Sequence, residues 1–198
     1  MTMKKTKISG ALAAALTGAL GVGAAGAAPP GDGLGLHPLD GGHWQAGVGL
    51  EDARGGARQA LVRSIDGTDA HPEVAAVTGL EGQDTSAVER LGFSVAGEQA
   101  GIVPCIKVAF TDALGQRREA MITSRTMRAQ PAREPGWTAY TLDAGLPPGG
   151  TIQAIELGVH VENDPVDTRP TVRFDDVVVN DVTFTSPADN AAQNPPNI

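Results

Sequence analysis

The segment from Thr151 to Glu162, TIQAIELGVHVE, constrains this chain more than any other, because Ile155, Leu157, Val159 and Val161 fall on one face and Glu156 and His160 on the other. A two-residue period is the mark of a half-buried strand, since successive side chains of an extended backbone point to opposite sides. The same period recurs in VPCIKVAFTD, where Ile106, Val108 and Phe110 alternate with Lys107 and Ala109 before a turn marked by Asp112 and Gly115. Further strands are expected at Leu91, Phe93 and Val95, in REAMITSRT, and in WTAYTL after a turn at Pro135 and Gly136. From Trp44 to Ile65 the pattern reads as strand, turn, strand, with Gly55 and Gly56 breaking a competing helical period; Val74 and Val77 then precede a polar loop from Glu81 to Ser86. In TRPTVRFDDVVVNDVTF, Val172 and Phe174 share one phase and Val177 and Val179 the other. That change of phase calls for a bulge near Asp175 and Asp176, or for a strand buried on both faces. No helical crossover of a dozen residues survives the Gly and Pro, which excludes parallel α/β units and leaves an all-β, antiparallel β-sandwich.

The first 30 residues have the order of a secretory signal: Lys4, Lys5 and Lys7, an uncharged run from Ile8, and an A-x-A site at Ala25 to Ala27. Residues 1–27 are therefore expected to be removed, and no membrane insertion follows from them. The expected order is then a flexible Gly/Pro-rich leader over 28–43, a β-sandwich domain over 44–185, and a disordered tail over 186–198. Loss of three lysines from 15 basic residues against 23 acidic ones leaves a charge of 12 minus 23, or -11. A surface of that sign excludes a nucleic-acid partner, whose affinity rests on Lys and Arg. Cys105 is the single cysteine, so a chain bound for an oxidising space contains no internal disulfide. Between Pro104 and Ile106 it reads as a small buried side chain, free or paired with a second chain.

The C-terminal half resembles the ending of galactose-binding-like jelly rolls and carbohydrate-binding modules. The matching pieces are Trp137, the strand from Ile152 to Val161, and the closing run Phe174, Asp175, Asp176, Val177 with Val179. The likeness spans roughly residues 91–184, and uncharacterised exported bacterial jelly-roll proteins look similar, with Asn180 and Asp181 at the turn after the last long strand. The resemblance implies a jelly-roll sandwich, a structural calcium near the last strand, and sugar held on one sheet face or loop rim.

Sugar rings stack on exposed aromatics. The chain has two Trp, one Tyr and four Phe, and Phe93, Phe110 and Phe174 fall in core patterns, which leaves Trp44, Trp137 and Tyr140 as candidate platforms. Trp137 and Tyr140 are three apart, so a regular strand turns them to opposite faces. Asp175, Asp176 and Glu156 are the candidate ligands of one calcium, although no D-x-D-x-D-G loop is present. No G-x-S-x-G elbow and no H-E-x-x-H motif occurs, so no catalytic residue is assigned. The function expected is that of a secreted, non-catalytic module for polysaccharide or a cell-surface protein. The alternatives are a structural or protein-interaction domain of the envelope or extracellular matrix, and a small secreted hydrolase.

Overall fold

The computed structural model describes residues 33–51, 58–66, 69–162 and 170–189. The expected signal segment, Gly55, Gly56 and the tail from 190 lie outside the described residues. Twelve strands are described: β1 (Gly35–Pro38), β2 (His43–Ala46), β3 (Gln59–Ser64), β4 (Glu73–Thr78), β5 (Arg90–Ala96), β6 (Ile102–Thr111), β7 (Arg117–Thr123), β8 (Arg128–Pro131), β9 (Trp137–Asp143), β10 (Thr151–Val161), β11 (Thr171–Val179) and β12 (Val182–Phe184). They form two antiparallel sheets. One has five strands in the order β1-β4-β10-β6-β7; the other has seven, β2-β3-β11-β5-β9-β8 with β12 beside β11.

The alternation read from the sequence orients these strands. Ile155, Leu157 and Val159 of β10 and Phe93, Phe174 and Phe184 of the larger sheet are all buried, and they belong to one continuous hydrophobic cluster. Phe93 packs edge-on against Phe174 with ring centroids 5.4 Å apart. Sheet on sheet with a shared apolar interior is a β-sandwich. Among the described residues no helix is long and apolar enough to cross a membrane.

Local chemistry explains the corners. Asp112 accepts hydrogen bonds from the amides of Leu114 and Gln116, both at 2.9 Å, and Gly115 takes φ +75, as the expected turn requires. The expected irregularity at the acidic pair is a bulge: the register of β11 against β5 shifts between Asp175 and Val178, and Asp176 has φ 45. The polar loop at 81–86 runs into a short 3-10 turn at Thr85–Ala87, capped by the Asp84 carboxylate on the Ser86 amide.

Two boundaries differ from expectation. Residues 35–38, assigned to the flexible leader, form β1 and pair with β4, from Gly35 opposite Thr78 to Pro38 opposite Ala75. The fold begins before Trp44 because Leu36 is fully buried, and Pro38 is tolerated at the end of an edge strand, where no ladder amide is needed. At the other terminus, the first residues of the expected tail are ordered by Asp189, whose carboxylate accepts the amides of Thr185 and Ser186 at 2.7 and 2.8 Å.

Candidate functional site

The register of the seven-stranded sheet sets Asp175 of β11 opposite Ser94 of β5, Ser94 opposite Ala139 of β9, and Ala139 opposite Gln130 of β8. Phe174 faces the core, so this row faces outward. Ser94 and Ala139 are small, and the sheet is hollow above them. A groove of about 330 Å³ lies there, walled by Arg133, Thr141, Asp176, Val178 and Thr183. Within it, Nη2 of Arg133 lies 3.0 Å from both carboxylate oxygens of Asp176. The bulge is what makes this pair: Asp175 keeps to the outward row, where the Leu50 amide covers it, while the extra residue in β11 lets Asp176, in the left-handed region that Asp tolerates, present its carboxylate to the groove.

Asp175 is 1% exposed. Its Oδ2 accepts the Leu50 amide and its Oδ1 the Asp176 amide, both at 2.7 Å. Burial pushes its carboxyl up to about 7, an effect opposed by those two amides, reinforced by the Asp176 charge and opposed by Arg133. The segment from Gly47 to Glu51 is thereby tied onto β11. Gly49 is required there, since a Cβ would sit 2.0 Å from the Gln59 carbonyl oxygen. Beyond Leu50, the Glu51 amide donates to Glu134 at 2.8 Å and Arg58 reaches Glu134 at 3.2 Å, which joins this segment to the turn that carries Arg133.

Of the three candidate aromatics, Tyr140 is among the residues that line the groove. Trp137 is not; it pairs with Ala96, two positions along β9 from Ala139, and so shares only the strand face of the groove floor. Tyr140 pairs with Phe93, packs against the core, and donates its hydroxyl to Glu98 at 3.1 Å. Burial first, and then the Glu98 charge, raises its phenol above the ordinary value. Trp44 pairs with the inward Leu61 and packs against the core, its buried indole N–H without a hydrogen-bond partner among the described residues. The expectation that Trp137 and Tyr140 face opposite ways therefore matches the register.

The three candidate calcium ligands are not brought together. Glu156 lies on β10 of the five-stranded sheet, where its carboxylate is 2.6 Å from Lys107 Nζ. Glu73 holds the same ammonium. Burial would lower the Lys107 pKa, but the hydrogen bonds and charges of Glu156 and Glu73 outweigh it and hold the group above its ordinary value. Asp175 and Asp176, on the other sheet, are committed to two amides and to Arg133. Among the described residues no group of three or more His, Cys, Asp or Glu gathers to hold a metal ion. Cys105 is buried and free, its thiol pushed up to about 11 by burial despite nearby Lys107.

Arg133, Ser94, Thr141 and Thr183 are the site residues that sequence reasoning passed over. Arg133 sits in a turn, where no periodicity orients a side chain, and its partner is 43 residues away; a bulge expected at Asp176 was the one available signal. No family model matches the chain, and no curated protein matches it in sequence.

Proposed function

We propose that the protein is a secreted, non-catalytic binding module of jelly-roll type, and that the groove on the outer face of its seven-stranded sheet takes a carbohydrate or cell-surface polymer. The observation that carries this reading is the Arg133–Asp176 pair standing in an open groove on the same strand face as Trp137. Sugars are recognised by a flat apolar surface beside a few fixed polar groups. Tyr140 in the groove lining and Trp137 on the strand face of the groove floor offer the first. For the second, Asp176 engages only Nη2 of Arg133 among the described residues, which orients the guanidinium and leaves its other N–H groups as donors. Ser94, Thr141 and Thr183 add hydroxyls. The ion pair is locally neutral, and the chain carries a net charge of -8, which favours a neutral glycan over an acidic one. A hydrolytic reading has less support: Asp175, the carboxyl whose titration would suit acid–base chemistry, lies buried beneath the Leu50 amide and out of reach of a ligand in the groove.

The test is retention of the protein on insoluble polysaccharides and isolated cell walls, beside Trp137→Ala and Arg133→Ala variants shown by circular dichroism to be folded. The expected result is retention that soluble sugar competes away and that both variants lose by about tenfold or more, as when an aromatic or Arg anchor is truncated. A folded wild-type protein that binds none of these matrices overturns the glycan reading and moves the groove to a protein partner.

A further inference from the structure

On the five-stranded sheet, far from the groove in chemistry and in fold, the pairing of β10 with β4 continues past the end of β4. Gly158 faces Glu73. Beyond that pair the Val159 amide donates to the Pro72 carbonyl at 3.1 Å and the Val161 amide to the Ala70 carbonyl at 2.9 Å. These bonds bracket His71 and His160 as a non-hydrogen-bonded cross-strand pair, the arrangement that brings opposite side chains closest together. The loop is further fixed by Asp69, whose Oδ1 accepts the His71 amide at 2.9 Å.

The two imidazoles meet by their Nδ1 atoms, 3.0 Å apart. Their centroids are 4.7 Å apart and their planes differ by 19°. The rings are stacked, near-parallel and offset, with their two Nδ1 atoms closer together than their centroids. A single proton between them satisfies one nitrogen as donor and leaves the other as a lone-pair acceptor. A cation can replace that proton. Two metal–nitrogen bonds of about 2.0–2.1 Å, meeting at roughly 90–110°, separate their nitrogens by about 2.8–3.4 Å, a range that includes the spacing found here.

We infer that His71 and His160 form a two-imidazole site for a divalent first-row transition ion (copper, nickel or zinc), with water completing its coordination. Nitrogen donors select these ions over calcium and magnesium, which require oxygen. The neighbouring carboxylates are already engaged, Glu162 with Arg125 and Glu73 with Lys107. The Cys105 thiol, one strand over on β6, is buried and supplies no thiolate. His71 is exposed and His160 partly so, which leaves solvent free to fill the remaining positions.

The test uses the full chain, titrated calorimetrically with Zn(II) and, in parallel, with Cu(II) followed by electron paramagnetic resonance. The expected result is one equivalent bound, a Cu(II) spectrum carrying hyperfine coupling to two imidazole nitrogens, and weakening in either His71→Ala or His160→Ala by at least the roughly 10- to 100-fold that loss of an outer-shell partner already costs. A His37→Ala/His43→Ala double variant, lacking the other two histidines, is expected to bind as the parent does. The inference is overturned if the protein binds neither ion, if folded His71→Ala and His160→Ala variants bind undiminished, or if the double variant abolishes binding.

Discussion

At Asp175 the cost of burying a carboxylate is set against the gain of tying a loop to a strand. The two amide hydrogen bonds favour the ionised form, yet burial wins, and the carboxyl stands near 7 against an ordinary 3.8. The folded protein therefore holds this proton to higher pH than the unfolded chain does. Stability from this group is greatest in acid, falls as pH rises from about 4 through about 7, and stays at its lower value above that. The displacement corresponds to a few kcal/mol, on the order of 2–4, between the two limits. Asp175→Asn keeps the shape and one acceptor but cannot ionise. In urea denaturation, the stability of this variant relative to the parent is expected to improve by that amount between pH 4 and pH 8, while the other titrating groups cancel in the comparison. A difference that stays flat over the window would show that the carboxylate is better solvated than its position beneath Leu50 implies.

The turn joining β11 to β12 shows how one side chain serves two elements. Asn180 takes φ 57, and its side chain accepts the Glu89 amide and donates to the Ala87 carbonyl, both at 2.8 Å. It thus closes the hairpin and holds the approach to β5 at once. Asn180→Ala forfeits these two bonds at about 1 kcal/mol each, together with a longer one from the Arg90 amide at 3.3 Å, and forces an ordinary residue into the left-handed region at about 1–2 kcal/mol, for a loss of roughly 3–4 kcal/mol. Asn180→Gly forfeits the bonds alone and is expected to lose roughly 2 kcal/mol. Chemical denaturation of the pair separates the two causes, and equal losses would eliminate the backbone contribution. What could be read in advance at this scale follows the same division between local and distant causes. The β10 alternation, the Asp112 turn and the change of phase at Asp175 are properties of neighbouring residues, and all three were legible. β1 was not, because four residues in a Gly- and Pro-rich stretch carry no period, and only burial of Leu36 against β4 makes them a strand. The pairing of Arg133 with Asp176 and the meeting of His71 with His160 depend on register across 43 and 89 residues. The division of Glu156 from Asp175 and Asp176 depends on which sheet each strand joins, and local patterning carries no sheet assignment.

At the scale of the molecule, the two sheets close over one apolar interior with no disulfide, so each sheet is expected to have little stability without the other. The probes needed to test this are built into the chain. Trp44 and Trp137 both lie in the seven-stranded sheet, on β2 and β9, while Cys105 lies on β6 of the five-stranded sheet. The native thiol is shielded twice: the side chain is 4% exposed, and with its pKa near 11 only about one in a thousand is thiolate at pH 8. Brief exposure to a thiol reagent at each urea concentration therefore reports opening around β6, and tryptophan fluorescence reports the opposite sheet. A single domain of this size is expected to unfold in one cooperative step, so the two curves should coincide. Phe174→Ala removes a fully buried ring that meets Phe93 edge-on at the centre of the sandwich, at a cost of about 3–5 kcal/mol. Although Phe174 belongs to the tryptophan-bearing sheet, its loss is expected to shift the Cys105 curve by the same amount as the fluorescence curve. A thiol that became reactive at lower urea than the fluorescence transition would show that the five-stranded sheet opens on its own, and that the interior is two cores in contact, not one.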